Sequence, residues 1–324
     1  MQNQVPVSQN RPVTGRFAPS PSGRLHLGNL ACSLLAWLSA KSQGGRIVLR
    51  IEDLDAERCP RVYADLLEQD LAWLGLTWDE GGSTGGAHAP YYQSECGDIY
   101  TQSYRKLEQR GLVYPCFCSR SQLHAASAPH TSDGNVIYPG TCRGLTPEEI
   151  AEKRKKKAPA YRLMVPDEEI TFTDGCMGTH TENLLRDCGD FYLRRADGVF
   201  AYQLAVVVDD ARMGVTEVVR GADLLSSTAR QLYLYRLLGL QPPHFAHCPL
   251  LLAADGRGCP SGTATRALKT CGQNHRPGDH RQAGLCLRPA SLPRPYNAPG
   301  PGPHLRLVPG PEKRHRSSRK SLRF

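Results

Sequence analysis

Between residues 15 and 254 the spacing of apolar positions changes repeatedly, and each change marks an element. Residues 27–41 carry Leu30, Leu34, Leu35 and Leu38 at helical spacing, which predicts a helix. Residues 47–51, apolar and β-branched behind Gly44 and Gly45, predict a buried strand. Residues 62–74 form an amphipathic helical pattern that stops at Gly75, and 94–110 form another that stops at Gly111. Residues 200–208, FAYQLAVVV, read as a strand, and 224–238 as a helix ended by Gly239. Strands alternating with helices predict an α/β fold with a parallel, doubly wound sheet.

Three stretches depart from this pattern. Residues 1–14 are polar and read as a disordered start. Residues 112–160 hold a cysteine pair, a polar span, the phrase YPGTC and a charged run ending in three lysines, and read as an insertion into the sheet domain. After residue 254 apolar periodicity vanishes and ten of the 25 prolines fall in the last 70 residues, so 255–324 is expected not to fold. One domain over 15–254 is therefore expected.

The formal charge of +9 modifies this picture little. Residues 255–324 hold 14 Lys and Arg against 3 Asp and Glu, whereas the remainder holds 26 against 28. The basic excess belongs to the tail and is no evidence that the body binds nucleic acid. No run of 18 apolar residues occurs, and the N-terminus lacks the apolar core of a signal peptide, so a cytoplasmic protein is expected. Twelve scattered cysteines then read as reduced thiols, with any close cluster a metal candidate.

Chemistry concentrates in two places. The first is Pro19-Ser20-Pro21-Ser22-Gly23 followed by His26-Leu27-Gly28-Asn29, between an extended segment and a helix. A glycine-containing turn lets backbone approach a phosphate, and a helix N-terminus presents unpaired N–H groups to it. His26 could donate to charge developing on that phosphate, and Gly28 would leave room for a nucleoside. A turn that merely caps a helix fits these residues equally well. The second place is Cys116-Phe117-Cys118 with Cys142, three corners of a tetrahedral zinc site. His124, His130 and Tyr138 compete for the fourth corner, and zinc chemistry by itself favours a histidine.

RFAPSPSG, HLGNL and, about twenty residues on, LRIEDLD together resemble the catalytic-domain signature of glutamyl-tRNA synthetases, with HLGN in the place of the HIGH motif. The resemblance runs from residue 15 to about 252 and implies a Rossmann-like class I synthetase catalytic domain. It implies that Arg16 to Ser20, through Arg16, Phe17, Ala18, Pro19 and Ser20, hold glutamate, with Arg16 on its side-chain carboxylate. It further implies that Glu52 accepts from the substrate's α-amino group and that Tyr202 and Arg220 contact glutamate. Pro21, Ser22, Gly23, His26, Gly28 and Asn29 would bind ATP, with His26 and Gly28 catalytic. Without the resemblance Glu52 could be a surface carboxylate, Tyr202 a half-buried aromatic, and Arg220 a salt-bridge partner of Asp223 or Glu217. The cysteine cluster is similar to the CxC…YxxxC site of the short glutamyl-queuosine tRNA(Asp) synthetase family, which implies Cys116, Cys118, Tyr138 and Cys142 around one structural Zn2+.

That resemblance implies ATP with Mg2+, glutamate and tRNA(Asp) as partners, and a monomer. Its length argues against the anticodon-binding region that charging tRNA(Glu) needs. The alternatives are a truncated enzyme charging tRNA(Glu) or an inactive glutamate- or tRNA-binding paralogue. One expected element is missing. The phrase PLLLAADGR (249–257) precedes a KMSKS-like loop in the family, yet GCPSGTATR follows here, with no lysine before Lys269. Codons chosen within the degeneracy for 258–265 read Leu-Ser-Lys-Arg-Asp-Arg-Asp two bases on, so a single-base deletion near Arg257 is the expected cause.

Overall fold

The computed structural model describes residues 12–25, 27–119, 122, 137–251 and 307–308. Strands β1 (Thr14–Phe17), β2 (Arg46–Leu49) and β3 (Glu80–Gly81) pair in parallel in that order. Helices α1 (Leu27–Ser42) and α2 (Arg61–Trp73) are the crossovers, since parallel neighbours cannot be joined by a tight turn. Gly75 (φ +73°) follows α2 in the left-handed region, as its position at the end of the apolar pattern demands.

The chain then runs through α3 (Gly97–Gln109), β4 (Val113–Cys116), α4 (Pro147–Lys156), β5 (Ala160–Leu163), β6 (Glu169–Asp174), β7 (Gly178–Asn183) and β8 (Phe191–Arg194). These strands are antiparallel: β4, β5 and β8 form one sheet, β6 and β7 a hairpin. Helix α4 starts with a capping box, in which Thr146 Oγ1 accepts from Glu149 N–H and Glu149 accepts from Thr146 N–H.

The strand expected over 200–208 is instead the beginning of helix α5 (Tyr202–Arg212). Leu204 to Val208 are consecutive buried positions, so no period distinguishes a buried strand from a buried helix. Packing against α3 and α6 (Thr228–Leu238) buries the helix on several sides and overrides the β preference of three valines. Between the two helices lies β9 (Glu217–Gly221), and after them β10 (His244–Cys248), parallel to β9. Thr216 N–H donates to Thr14 O at 2.9 Å, which sets β9 beside β1. The parallel strands therefore run β3-β2-β1-β9-β10, with β1 central.

The pair Leu250–Leu251 is matched antiparallel, backbone to backbone, with Leu307–Val308. The rest of the tail expected not to fold, including 258–265 and Lys269, lies outside the described residues, as do 1–11. Among the described residues no helix is long and apolar enough to cross a membrane.

Candidate active site

The C-terminal ends of β1, β2 and β9 and the start of α1 surround a cleft of about 710 Å³. This is where an open parallel sheet leaves room for a ligand, because adjacent crossovers diverge there. Arg16, Phe17, Ala18, Pro19 and Ser20 line it from β1 and its exit. Ser22, Gly23, Gly28 and Asn29 line it from the turn and the first turn of α1, the positive end of the helix dipole, which favours an anion. Gly23 has φ +155°, with nothing within 4 Å of where a Cβ would stand, so the turn stays open to the cleft. Glu52, Tyr202 and Arg220 complete the wall. Pro21 is buried and does not line the cleft. His26 lies outside the described residues, as do His124 and His130.

The charges around the cleft are arranged unequally. Arg50 is completely buried at the end of β2 and is held by three carboxylates: Asp210 Oδ1 at 2.5 Å, Glu52 Oε1 at 2.9 Å and Asp209 Oδ2 at 3.9 Å. Asp209 also accepts from Tyr100 OH and Gln93 Nε2 and pairs with Arg212, so α5 ends in an acidic pair locked from several sides. Arg16 is 6% exposed and donates to Val219 O at 3.1 Å. Its nearest carboxylate oxygen, on Asp210, is 3.7 Å from Nε, and that Nε has no hydrogen-bond acceptor among the described residues.

Arg220 is 4% exposed, and the salt bridge to Asp223 or Glu217 that its neighbours in sequence allowed does not form. It donates instead to His247 Nε2 (2.8 Å), Gln231 Oε1 (2.9 Å), Thr228 Oγ1 (3.0 Å) and Leu224 O (3.3 Å). All four acceptors are uncharged, and no carboxylate lies within 4 Å of it among the described residues. Burial draws its affinity for the proton below the ordinary arginine value, as expected of a cation without a counter-ion.

Glu52 is 10% exposed, so it is no surface carboxylate. Burial raises its pKa, and the adjacent Arg50 guanidinium opposes this. Burial also raises that of Tyr202, with Arg220, Glu52 and Arg16 all close enough to perturb it. The wall therefore presents Arg220 with no described carboxylate within 4 Å, Arg16 whose nearest carboxylate is Asp210 at 3.7 Å, the carboxylates of Glu52 and Asp223, and the Tyr202 phenol. This arrangement complements a ligand with two anionic groups and one cationic group. An electrically neutral ligand would leave the Arg220 guanidinium buried and uncompensated, at a cost of several kcal/mol.

Cys32 on α1 and Cys248 at the end of β10 also line the cleft, their thiols close enough to perturb each other. That proximity holds Cys32 below the usual thiol range and pushes Cys248 above it. Neither belongs to a metal-type group of three among the described residues.

Such a group exists in one place among them, at Cys116, Cys118 and Cys142, whose sulfurs all lie within 4.8 Å of one another. Cys118 Sγ and Cys142 Sγ are 3.6 Å apart, and Tyr138 OH stands 3.6 Å from Cys116 Sγ and 3.7 Å from Cys118 Sγ. A tetrahedral ion bound at about 2.3 Å from each sulfur requires edges of about 3.8 Å, so the donor set has the right size. Cys142 N–H donates to Tyr138 OH at 2.8 Å, orienting that oxygen. Arg162 is stacked between the rings of Tyr138 and Tyr192, 3.7 Å from each centroid, and its Nε donates to Cys116 Sγ. Burial works against the Cys116 thiolate, but Arg162 and the Tyr138 hydroxyl outweigh it and lower that pKa. Burial pushes Cys118 up to about 11.

Sequence reasoning passed over Arg50, the pair Asp209-Asp210, and the contact of His247 with Arg220. Arg50 lies within LRIEDLD and the acidic pair directly follows FAYQLAVVV, where their charge beside apolar residues was the available signal. His247 is a single histidine 73 positions from the aspartate that bonds it, and no spacing rule links the two.

Residues 12–260 match the family of class I tRNA synthetases (E and Q), catalytic domain. The glutamyl-Q tRNA(Asp) synthetase of Symbiobacterium thermophilum is 56% identical over 248 residues, 75% of this chain and 76% of that one. The glutamate–tRNA ligase 1 of Halorhodospira halophila is 48% identical over 249 residues, 75% of this chain and 52% of its own length. The crystal structure of a glutamate tRNA ligase from Elizabethkingia meningosepticum, in complex with its amino acid, is 33% identical with a TM-score of 0.68. That alignment covers 79% of this chain and 53% of that one, so the chain spans about half the length of these two ligases.

Proposed function

Because this chain belongs to the class I tRNA synthetases of the glutamate and glutamine group, we propose that it activates glutamate with ATP and passes the glutamyl group to queuosine in the anticodon of tRNA(Asp). The charge pattern of the cleft carries the first half of this reading. Glutamate bears two carboxylates and one ammonium, and the wall bears Arg220 with no described carboxylate within 4 Å, Arg16 with its nearest carboxylate 3.7 Å away, and Glu52. Arg16 takes the side-chain carboxylate, as a planar fork suits it. Arg220 and the Tyr202 hydroxyl hold the other end of the substrate, and Glu52 accepts from the ammonium. Backbone of Phe17 to Ser20 closes around the amino acid.

ATP, as its Mg2+ complex, occupies the turn Pro21–Gly23 and the start of α1, with His26, Gly28 and Asn29 beside the phosphates. The α-carboxylate oxygen attacks the α-phosphorus. One P–O bond forms, the bond to the β-phosphate oxygen breaks, and pyrophosphate leaves. A hydroxyl of the acceptor then attacks the activated carbonyl and displaces AMP. Neither step uses a protein nucleophile, so positioning and electrostatics supply the rate. A reaction on tRNA with ATP is set in the cytoplasm.

The acceptor assignment draws its support from the relative of 56% identity and from the Cys116, Cys118, Tyr138, Cys142 cluster. Those four residues would hold one Zn2+, whose part is to pin a segment with little core of its own. About one zinc per chain is expected by atomic absorption. Cys118→Ser is expected to lower that at least tenfold and to expose residues 112–160 to protease while L-glutamate binding persists. Full zinc retention in the variant would remove Cys118 from the site.

The acceptor is tested with radiolabelled glutamate, ATP and purified tRNA(Asp), with and without queuosine, beside tRNA(Glu), using a chain active in exchange. Label only on queuosine-containing tRNA(Asp) is the expected result. Label on the 3′ end of tRNA(Glu) would transfer the reading to ordinary charging.

A further inference from the structure

Arg220 gains its unneutralised charge from a line of buried groups outside the cleft's own lining. His247, on β10, is completely buried. Its Nδ1 lies 2.5 Å from Asp174 Oδ2, at the end of β6. Its Nε2 receives the N–H of Arg220 Nε at 2.8 Å, with the Thr228 hydroxyl 3.4 Å away. The Arg220 Nε always carries a proton, so His247 Nε2 must be the acceptor and Nδ1 must carry the ring's proton. The carboxylate of Asp174 enforces that tautomer. Its other oxygen, Oδ1, is pinned by three backbone N–H groups, those of His247 (3.0 Å), Cys176 (3.0 Å) and Met177 (2.9 Å). Phe245, stacked nearly parallel to the imidazole at 6.2 Å, lies along the same line.

We infer that His247 is a positioning residue for substrate binding: a neutral imidazole, held in one tautomer by Asp174, anchors Arg220 without neutralising it. A carboxylate in the place of Nε2 would hold the guanidinium as firmly but compete with the anionic group of the ligand. An apolar side chain there would leave Nε unsatisfied and the fork free to turn. The imidazole orients the charge and leaves it available. This rests on the reading of the cleft as a glutamate site.

Two substitutions break the line in different ways. In Asp174→Asn the pinned Oδ1 remains the acceptor of three N–H groups, so the new NH2 occupies the place of Oδ2 and donates to Nδ1. The imidazole must then carry its proton on Nε2, directly against the Arg220 N–H. His247→Leu removes the acceptor outright. His247→Gln restores the line, since its NH2 can donate to Asp174 and its oxygen can accept from Arg220.

L-Glutamate and ATP affinities are measured by calorimetry on the full chain and each variant, with thermal melting to identify those that fold. Asp174→Asn and His247→Leu are expected to weaken L-glutamate at least tenfold and ATP less than twofold, with His247→Gln within threefold of the parent. A folded Asp174→Asn or His247→Leu that binds L-glutamate within twofold of the parent overturns the inference. So does a His247→Gln as weak as His247→Leu. If the parent itself fails to bind L-glutamate, the substrate reading has failed, and 15N-histidine NMR of the parent then decides this inference independently. The His247 signal, identified by its loss in His247→Gln, must show a proton on Nδ1 and none on Nε2; the reverse overturns it.

Discussion

Glutamate-dependent ATP–pyrophosphate exchange is expected to rise roughly 10²–10³-fold when the sequence from residue 258 onward is replaced by the shifted-frame reading that begins Leu-Ser-Lys-Arg-Asp-Arg-Asp. The reason is electrostatic. As pyrophosphate departs, negative charge accumulates on the bridging oxygen and the β- and γ-phosphates. The described wall supplies helix N–H groups at α1 but no lysine. A positioned ammonium in a partly desolvated cleft is worth about 3–4 kcal/mol in the transition state and much less before it. The effect should therefore fall on the rate constant, with the KM for glutamate changed less than threefold. Exchange is measured on the two chains side by side. Equal rates would show that the segment after Arg257 contributes nothing to activation. Resequencing the locus is the companion measurement, and a frame shared intact by close relatives would remove the deletion as an explanation.

Arg16→Leu is expected to weaken L-glutamate by about 3 kcal/mol, or roughly 10²-fold, with ATP affinity almost unchanged. Arg16 is buried, lines the cleft, and has one N–H without an acceptor. Its loss costs the ligand's carboxylate a bidentate partner in a site from which water is largely removed. The fold should tolerate the change, because Asp210 keeps Arg50 at 2.5 Å as its principal partner while Arg16 stands 3.7 Å away. A melting temperature within a few degrees of the parent is therefore expected. Arg16→Lys should recover part of the affinity, since it keeps the charge and loses the fork. Calorimetric titration with L-glutamate, L-glutamine and L-aspartate separates the possibilities. If L-glutamine loses as much affinity as L-glutamate, Arg16 acts on the backbone of the ligand and not on its side-chain carboxylate.

Local patterns sufficed wherever chemistry was confined to a few consecutive residues. RFAPSPSG and the HLGNL after it read as an extended segment, a glycine-containing turn and a helix start, and β1, the turn at Gly23 and α1 stand there in that order. Cys116, Cys118 and Cys142 lie within 27 residues and were legible as a metal-type cluster, whereas Tyr138 beside them came from the resemblance, since zinc chemistry by itself favoured a histidine. The end of α2 at Gly75 and of α6 at Gly239 followed from the conformation that glycine adopts most readily. Where the signal was a period, it failed once the period disappeared. Leu204 to Val208 are buried whatever they form, and only packing between α3 and α6 made them a helix.

By itself the amino-acid sequence determined the turn motif and the crossovers flanking it, since these depend on neighbours close along the chain, whereas only the fold brought Tyr202, Arg220 and Cys248 to the same cleft. The tertiary structure decided how those residues are charged. Arg50 draws in Glu52, Asp209 and Asp210 from segments up to 160 positions apart, and so leaves Arg16 and Arg220 short of counter-ions. His247 and Asp174 come together across 73 positions to hold Arg220 without neutralising it. Coulomb interactions and buried hydrogen bonds act through space, and the distances they depend on exist only after the strands have been brought side by side.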